Sequence, residues 1–413
     1  MRMRRGPYVS PLKGLLAGLG LVLPLLSAGF AHGADEAITL GATLSLTGKF
    51  ALNGAHTKNG YDLAVTRINN RGGKIGGKPY RLHIRYYDDE SSPARGTKLV
   101  ERLIQQDGVK FLLGPYSSGL TQAILPIIER HKIPMIEANG AARELFTKGN
   151  RYLFAVLSTS DQYLTPVIDL VAENAGKLGK KPQELTLAIA TEDDPFAQDV
   201  RAGLLAEAAD RGLNCVLDDR LPSALDDMSV TLDKVKALKP DILFVSGHEK
   251  GALTAVTQIE ALRVDVPVIA LTHCDSAQLA EKRPTESQHV FCAQQWHRSL
   301  KHKGKLFGSA EDFATLFEQV YSYEAPYQAA QSAAAVYVFA DAFARAQTLD
   351  PEKVRDAIAA TDLASFYGPI KFDATGKNVA KAMVLTQIVD GAYVVVAPDK
   401  AATGEAVIPR PHH

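Results

Sequence analysis

Short apolar runs alternate along this chain with segments of helical spacing. Residues 111–113 and 133–138 are apolar runs bounded by Gly, Pro and small polar residues, a pattern typical of buried strands. Residues 53–70 instead place Leu63, Ala64 and Ile68 at helical spacing and stop at a glycine pair. Because strand and helix patterns follow one another, we predict an α/β fold with parallel sheets flanked by helices.

The same rhythm restarts in the second part of the chain. Apolar runs at 185–190, 242–246 and 268–271 are each followed by a helical pattern or a polar turn. Near the C-terminus, a further strand at 383–389 leads into a β-hairpin through Asp390-Gly391. We therefore predict two similar α/β lobes and not one extended sheet.

Two consecutive strand-to-helix turns are the most informative local feature. In a parallel sheet both turns lie at the carboxyl edge of the strands, where ligands bind. Hydroxyl groups and bare amides at helix N-termini favour a carboxylate or another small anion. The predicted site consists of Tyr116, Ser117 and Ser118 in the first turn and Asn139, Gly140 and Ala141 in the second.

The composition and motifs argue against several classes of protein. A chain of 413 residues can form two sizeable cores, and a formal net charge of zero without a basic stripe gives no support for nucleic-acid binding. No G-x-S-x-G, H-E-x-x-H or P-loop motif occurs, and Ser117 and Ser118 do not sit in a nucleophile elbow. The run Glu192-Asp193-Asp194 offers cation ligands, but such runs more often cap the following helix. We predict no enzymatic activity, no metal site and no cofactor.

The N-terminus has the pattern of a secretory signal. Four basic residues precede an apolar run at 15–26, and small residues follow it, so we predict a signal peptide at residues 1–33 and an exported protein. Three cysteines form no disulfide framework, and no C-x-x-C motif is present. Buried free thiols are the favoured interpretation, and a Cys274–Cys292 bridge in an oxidising compartment stays open.

Several motifs together resemble the branched-chain amino acid-type (type I) periplasmic binding proteins. They are found at residues 41–48 (GATLSLTG), 68–73 (INNRGG), 87–89 (YDD), 114–118 (GPYSS) and 368–373 (GPIKFD), and the resemblance covers residues 37–397. It implies two lobes joined by three crossovers, with a small carboxylate bound between them and passed to the permease subunits of an ABC importer. It also implies a periplasmic, monomeric protein.

The resemblance implies a division of the chain. Lobe 1 comprises residues 36–158 and 294–384, lobe 2 comprises residues 159–293 and 385–403, and residues 404–413 form a loose tail. An extracytoplasmic ligand-sensing domain for a signalling partner is the alternative function.

The resemblance also implies a role for each site residue. Ser118 binds the ligand carboxylate, Asn139 offers a carbonyl, Ala141 offers an amide, and Phe196 closes over the ligand. His248 replaces a second aromatic residue of lobe 2. In the loop at 272–275, His273 stands where relatives have an acidic residue that pairs with the amino group of the ligand, unless Asp275 takes that role. Asn53 and Tyr327 are further candidates near the cleft.

These departures from the family pattern predict a weakened ammonium site. A buried ammonium group without a counter-charge is costly. We therefore predict one of two ligands. The first is a carboxylate without an amino group, such as an aromatic or branched keto acid, and the second is an ordinary branched-chain or hydrophobic amino acid. In the first case His248 or His273 would hydrogen-bond a keto or phenol oxygen.

Overall fold

The computed structural model describes residues 36–223 and 225–411 of the chain. The predicted signal peptide at 1–33 lies outside the described residues. The strands are β1 Glu36–Leu44, β2 Gly73–Ile75, β3 Lys78–Asp88, β4 Leu112–Leu113, β5 Met135–Glu137, β6 Leu153–Ala155, β7 Thr186–Glu192, β8 Asn214–Leu221, β9 Ile242–Ser246, β10 Val268–Leu271, β11 Phe291–Gln294, β12 Lys303–Gly304, β13 Gly308–Ser309, β14 Asp362–Ser365, β15 Gly368–Lys371, β16 Val384–Val389 and β17 Ala392–Ala397.

The helices are α1 Ala51–Arg71, α2 Pro93–Gln105, α3 Ser118–His131, α4 Thr165–Glu173, α5 Pro195–Asp210, α6 Ser229–Leu238, α7 Glu249–Ala261, α8 Leu279–Lys282, α9 Ala310–Tyr321, α10 Tyr327–Ala346 and α11 Pro351–Ala359. Of the helices in the described part of the chain, none is long and apolar enough to cross a membrane.

Two sheets organise the described residues. The first has the order β2-β3-β1-β4-β5-β6 and is parallel except for β2, which pairs antiparallel with β3. The second has the order β17-β16-β11-β10-β9-β7-β8, in which the five strands from β11 to β8 are parallel to one another. Each sheet is flanked by helices, as the alternation of strand and helix patterns predicts.

Three connections join the two halves. The chain passes from β6 in the first sheet to β7 in the second, and after β11 it returns to place α10 against α1 and β5. It then enters the second sheet again at β16, which pairs antiparallel with β11. The predicted hairpin through Asp390-Gly391 joins β16 to β17, and both turn residues have positive φ. The fold is thus a two-lobed α/β architecture with three crossovers.

The long helix α10 packs closely on α1 because its facing positions are small. Gly60 of α1 lies against the backbone of Ala329, and a Cβ atom on Gly60 would come within 2.2 Å of the Ala329 carbonyl oxygen. Residues 329–335 of α10 are buried, and all of them except Gln331 are alanine or serine. This run of small residues therefore sets how closely α10 sits on the first half of the molecule.

Cys274 and Cys292 form a disulfide bond, so the favoured interpretation of buried free thiols was wrong for these two residues. The register of the second sheet explains the bond. Leu271 at the end of β10 pairs with Cys292 on β11, and the turn after Leu271 brings Cys274 back over its neighbouring strand, at a Cα–Cα distance of 5.8 Å. Cys215 is a free, half-buried thiol. A structural disulfide fits an oxidising compartment.

The expected loose tail after Gly404 is packed against the second sheet as far as Arg410, which corrects that prediction for the described part of the tail. The backbone of Val407 exchanges two hydrogen bonds with the side chain of Gln387, and the Arg410 amide donates to the Pro267 carbonyl. Ile408 and Arg410 are buried. The predicted boundaries of the two lobes stay a prediction.

Candidate functional site

A small pocket lies where the carboxyl ends of the two parallel sheets face each other. The turns after β4 and β5 contribute from the first sheet, the segments after β7, β9 and β10 contribute from the second, and the start of α10 closes one side. The lining residues are Tyr116, Ser117, Ser118, Asn139, Tyr163, Phe196, His248, His273, Tyr327, Gln328 and Gln331.

The start of α3 presents two serines to this pocket. Ser117 is the N-cap residue, and its φ of 105° and ψ of 150° belong to a region that suits glycine, so the backbone is strained at the pocket wall. The Ser118 hydroxyl oxygen accepts the amides of Ala141 and Ala142 at 3.1 and 3.0 Å. Because a hydroxyl carries one proton of its own, Ser118 can still donate a hydrogen bond to a ligand.

The buried carboxylate of Glu137 fixes the second turn. It accepts the amides of Ala138, Asn139 and Gly140 at 2.8, 2.6 and 2.8 Å, and the Thr121 hydroxyl at 2.8 Å. Burial raises the pKa of Glu137, and these four hydrogen bonds to the carboxylate oppose that rise. The amides of this turn therefore point at Glu137 and not at the pocket.

A chain of hydrogen bonds crosses the pocket between the two halves. Nε2 of His248 lies 2.7 Å from Oδ2 of Asp194, and Nδ1 of His248 lies 3.0 Å from the Tyr116 hydroxyl. The same hydroxyl lies 2.9 Å from Nε2 of His273. With His248 protonated, its two N–H groups donate to Asp194 and Tyr116, and Tyr116 donates to His273.

The pKa shifts of the two histidines agree with that placement of protons in the hydrogen-bond network. Burial lowers the pKa of His248, but the carboxylates of Asp194, Glu192 and Glu249 together raise it above its ordinary value. Burial, with the nearby charge of His248, lowers the pKa of His273 to about 3. Two imidazoles whose pKa values are shifted in opposite directions thus stand side by side in the second half of the site.

The start of α10 supplies two glutamines that differ in their bonding. The Gln331 amide donates to the Asn139 side-chain oxygen at 2.9 Å and accepts from the Tyr367 hydroxyl at 3.2 Å. Gln328 is 1% exposed, and neither its Nε2 nor its Oε1 has a hydrogen-bond partner among the described residues. A buried amide without partners is costly, so Gln328 is poised to bond with a ligand.

Aromatic rings form much of the remaining wall. The Phe196 ring meets the Tyr163 ring edge-on at 5.1 Å and the His273 ring edge-on at 5.1 Å. Tyr327 lies beyond His273, with 6.5 Å between the ring centroids. Flat rings placed in this way suit a ligand with a planar apolar body.

The structure brings seven of the residues predicted from the sequence to the pocket and leaves four outside its lining. Those that line the pocket are Tyr116, Ser117, Ser118, Asn139, Phe196, His248 and His273, and Tyr327 joins them. Those outside the lining are Asn53, Gly140, Ala141 and Asp275.

Each residue outside the lining has a bond that accounts for its position. The Ala141 amide is bonded to Ser118, and Gly140 is bonded to Glu137. Asp275 accepts the amide of Tyr327 at 3.0 Å, and burial raises its pKa to about 7. The Asn53 side chain donates to Glu249 across the two halves. The Ala141 amide donates within the protein in this structure, and its expected contact with a ligand stays a prediction.

Sequence reasoning missed Tyr163, Gln328 and Gln331. The two glutamines stand three residues apart, on one face of a helix whose next residues are mostly alanine. Polar side chains with that spacing in an otherwise apolar segment were the signal that could have revealed them. Tyr163 lies in a loop between the two sheets, and no local pattern marks it.

Comparison with known proteins assigns the chain to a family. The family model described as "Periplasmic binding protein" matches residues 37–392. The Leu/Ile/Val-binding protein homolog 8 of Brucella suis biovar 1 is 26% identical over 407 residues, which cover 95% of this chain and 98% of that protein.

Two solved structures share the fold. The branched-chain amino acid transporter substrate binding protein LivJ from Streptococcus pneumoniae, in complex with isoleucine, has a TM-score of 0.75 at 22% identity and covers 88% of this chain and 100% of its own. A solute binding protein of an ABC transporter from R. palustris, in complex with benzoate, has a TM-score of 0.76 at 20% identity and covers 89% and 99%. The chain belongs to the periplasmic binding protein family, with the type I fold of the non-enzymatic branched-chain amino acid-type solute-binding proteins.

Proposed function

We propose that this protein is the substrate-binding component of an ABC importer and that it captures a small carboxylate without an ammonium group, an aromatic carboxylate first of all. The observation that carries the proposal is the make-up of the pocket wall. Among the described residues that line it are hydroxyls, amides, imidazoles and aromatic rings, but no carboxylate.

An amino acid would need a counter-charge that the wall does not offer. A buried ammonium without a paired carboxylate costs several kcal/mol. Two of the nearby acids are already engaged, because Asp194 is bonded to His248 and Asp275 accepts the Tyr327 amide. Neither of these side chains lines the pocket. This supports a ligand whose only charge is a carboxylate.

Several groups suit the carboxylate itself. The Ser118 hydroxyl retains its proton as a donor, and Nε2 of Gln328 is a donor without a partner among the described residues. The surrounding carboxylates raise the pKa of His248, which favours its protonated form, and a protonated imidazole at this pocket would attract an anion. Bonds from neutral donors to a charged carboxylate are stronger than bonds between neutral groups.

The walls suit a planar body for the ligand. Phe196, Tyr163 and Tyr327 provide rings, and the hydroxyl of Tyr116 with the two histidines provides polar contacts for a ring hydroxyl or a keto oxygen. The R. palustris neighbour was solved with benzoate. Benzoate, 4-hydroxybenzoate and phenylpyruvate are therefore the first ligands to test.

A branched-chain amino acid is the second candidate. The curated relative is a Leu/Ile/Val-binding protein homolog and the LivJ neighbour holds isoleucine, so the fold accommodates amino acids. In this chain the ammonium would have to recruit Asp275 by rearranging the bond to Tyr327. The absence of a carboxylate from the described pocket wall makes this candidate the weaker one.

The test is a thermal-shift screen of the purified mature chain over amino acids, keto acids and aromatic acids. A ligand at about 100 times its Kd stabilises the native state by about 2.7 kcal/mol. We expect stabilisation by aromatic or keto acids, and loss of that response in Ser118→Ala. Stabilisation by leucine or isoleucine with no response to the acids would contradict the proposal.

Export and delivery complete the proposed role. The signal pattern at 1–33 supports a periplasmic location for the mature chain, and the Cys274–Cys292 disulfide supports an oxidising compartment. Growth on the bound acid should then require this chain together with an ABC permease. A sensor domain, the alternative role, would leave uptake of the acid unchanged when the chain is deleted.

A further inference from the structure

We propose that Glu192, Asp194 and His248 form a site for one divalent transition-metal ion, with Zn²⁺ as the best match, directly behind the ligand pocket. One ligating atom from each of the three side chains lies within 4.8 Å of the other two. Glu192 ends β7, Asp194 follows it and His248 follows β9, so the edge of the second sheet brings them together. The site shares only His248 with the pocket proposed for the carboxylate. An ion would displace the Nε2 proton of His248 to solvent and would itself supply the positive charge beside that pocket.

Each of the three side chains is held in place through an atom that a metal would not need. Oε1 of Glu192 accepts the His248 amide at 3.2 Å, and Oδ1 of Asp194 accepts the Ala197 amide at 2.9 Å. Nδ1 of His248 is bonded to the Tyr116 hydroxyl. Metal ligands are typically oriented by such outer hydrogen bonds. Of the atoms that remain, Oδ2 of Asp194 and Nε2 of His248 are bonded to each other and would exchange that bond for the ion.

One carboxylate oxygen of the three-residue cluster has no hydrogen-bond partner among the described residues. Glu192 is 2% exposed, and its Oε2 makes no hydrogen bond to any of the described residues. A buried carboxylate oxygen without a partner is unfavourable by about 1–3 kcal/mol or more. Burial raises the pKa of Glu192, the charge of His248 opposes that rise, and repulsion from Asp194 adds to it. A bound cation would satisfy the oxygen and would also offset that repulsion.

The three groups would have to rearrange to hold an ion, because their ligating atoms are known only to lie within 4.8 Å of one another. Zn–N and Zn–O bonds of about 2.0–2.2 Å place the ligating atoms roughly 3–3.5 Å apart. The pair Asp194 Oδ2 and His248 Nε2, at 2.7 Å, must therefore open by about half an ångström, while Glu192 Oε2 turns towards them. Asp194 also lines an open groove with Asp193, Pro195 and other residues, so one of the three side chains is reached from solvent.

The donor set selects the kind of ion. One imidazole and two carboxylates suit Zn²⁺, whereas Mg²⁺ and Ca²⁺ prefer oxygen ligands alone. Two positive charges already face the carboxylates. Burial tends to raise the pKa of Glu192 and of Asp194, His248 acts to lower both, and the Lys49 ammonium lowers them further. Its side chain lies over the Phe50 ring, with Nζ 4.4 Å from the ring centroid, and is not one of the three groups that converge.

The test is calorimetric titration of the mature chain with ZnCl₂. His412 and His413 are replaced by alanine beforehand, because adjacent histidines bind Zn²⁺ themselves. We expect one saturable site, with affinity reduced about tenfold or more in Glu192→Gln and in Asp194→Asn. The neighbouring variant Asp193→Asn is the matched control and should bind as the parent does. Mg²⁺ and Ca²⁺ should give no comparable heat.

A second measurement on the same parent chain needs no substitution at the site. Co²⁺ in a site with one imidazole and two carboxylates gives visible d–d absorption, which Zn²⁺ should abolish by displacement. A parent chain without a saturable Zn²⁺ site, or one whose Zn²⁺ affinity is the same in Glu192→Gln and Asp194→Asn, would overturn the proposal. Glu192 would then carry a proton at its unpartnered oxygen, in line with the rise of its pKa to about 7 that burial causes.

Discussion

Nδ1 of His248 and the hydroxyl of Tyr116 lie 3.0 Å apart, and this contact links the end of β9 in the second sheet to the turn after β4 in the first. The same hydroxyl contacts His273, so a single side chain from one half satisfies two imidazoles of the other. The Asn53–Glu249 hydrogen bond makes a second link between the halves. Polar contacts therefore bridge the two halves at the pocket.

Tyr116→Phe should destabilise the protein, because it leaves two buried imidazole nitrogens without a partner. We expect a loss of about 1–3 kcal/mol in the free energy of unfolding. Tyr86→Phe is the matched control, since Tyr86 donates to Asp62 at a half-buried position and should cost less. Urea unfolding of the two variants measures the difference. Equal losses would show that the hydrogen bonds of Tyr116 to the two histidines stabilise the protein no more than the hydrogen bond of Tyr86 does.

Gln328 and Gln331 should respond to substitution in opposite ways. Gln328→Met removes a buried amide that has no partner among the described residues, so the free protein should gain about 1 kcal/mol or more. Gln331→Met breaks bonds to Asn139 and Tyr367 and should destabilise by a similar amount. Thermal unfolding without ligand compares the two variants.

The same pair separates stability from binding. Gln328→Met should weaken ligand binding by about tenfold even though the free protein is more stable, because one charge-assisted hydrogen bond is worth roughly 1.5–3 kcal/mol. Calorimetry with the best ligand of the screen measures the change. Unchanged affinity in Gln328→Met would show that the Gln328 side chain does not bond with the ligand.

The disulfide should stabilise the second half of the protein. Cys274 and Cys292 are separated by 18 residues, and closing a loop of that size in the unfolded chain contributes about 3 kcal/mol. The double variant Cys274→Ser/Cys292→Ser should therefore melt several degrees lower, and reducing agent should no longer affect it. Cys215→Ser, at the free thiol, should melt with the parent. A parent protein insensitive to reducing agent would contradict this expectation.

Lys381 should make stability depend on pH. Burial lowers its pKa from 10.5 to about 7, and its ammonium lies 3.0 Å from Oε1 of Gln295 and over the Tyr367 ring. Between about pH 7 and 10.5 the unfolded chain binds more protons at this lysine than the native state does. Stability should consequently rise with pH across that window, by at most about 1.4 kcal/mol per unit.

Urea unfolding at several values of pH in this window tests the dependence on Lys381. Lys381→Met should abolish most of the rise. Lys371→Met, at an exposed lysine paired with Asp362, should keep it. A rise that persists in Lys381→Met would assign it to other groups.

The sequence predicted the architecture well because hydrophobic periodicity is local. The alternation of strands and helices, the restart of the rhythm and the hairpin through Asp390-Gly391 all follow from short-range patterns. It predicted the serines at the start of α3 and the histidines after β9 and β10 for the same reason, since each closely follows a strand end.

What the sequence did not reveal depends on contacts between distant segments. The Ser118 hydroxyl accepts the amides of Ala141 and Ala142 from 23 and 24 residues away in the sequence, and no local pattern marks those bonds. The pairing of Cys274 with Cys292 depends on the register of β10 and β11. Gln328 reaches the pocket only because α10 returns to the first half of the molecule.

The most direct test of the central claim compares two ligands that differ only at the amino group. Calorimetric titration with 3-phenylpropanoate and with L-phenylalanine isolates the ammonium, because the ring and the carboxylate are the same in both. A second such pair is 4-methylpentanoate and L-leucine. The account predicts that in at least one pair the acid without an ammonium group binds about 100-fold tighter or more, since a buried unpaired ammonium costs several kcal/mol. Tighter binding of phenylalanine or leucine than of the matching acid would contradict it.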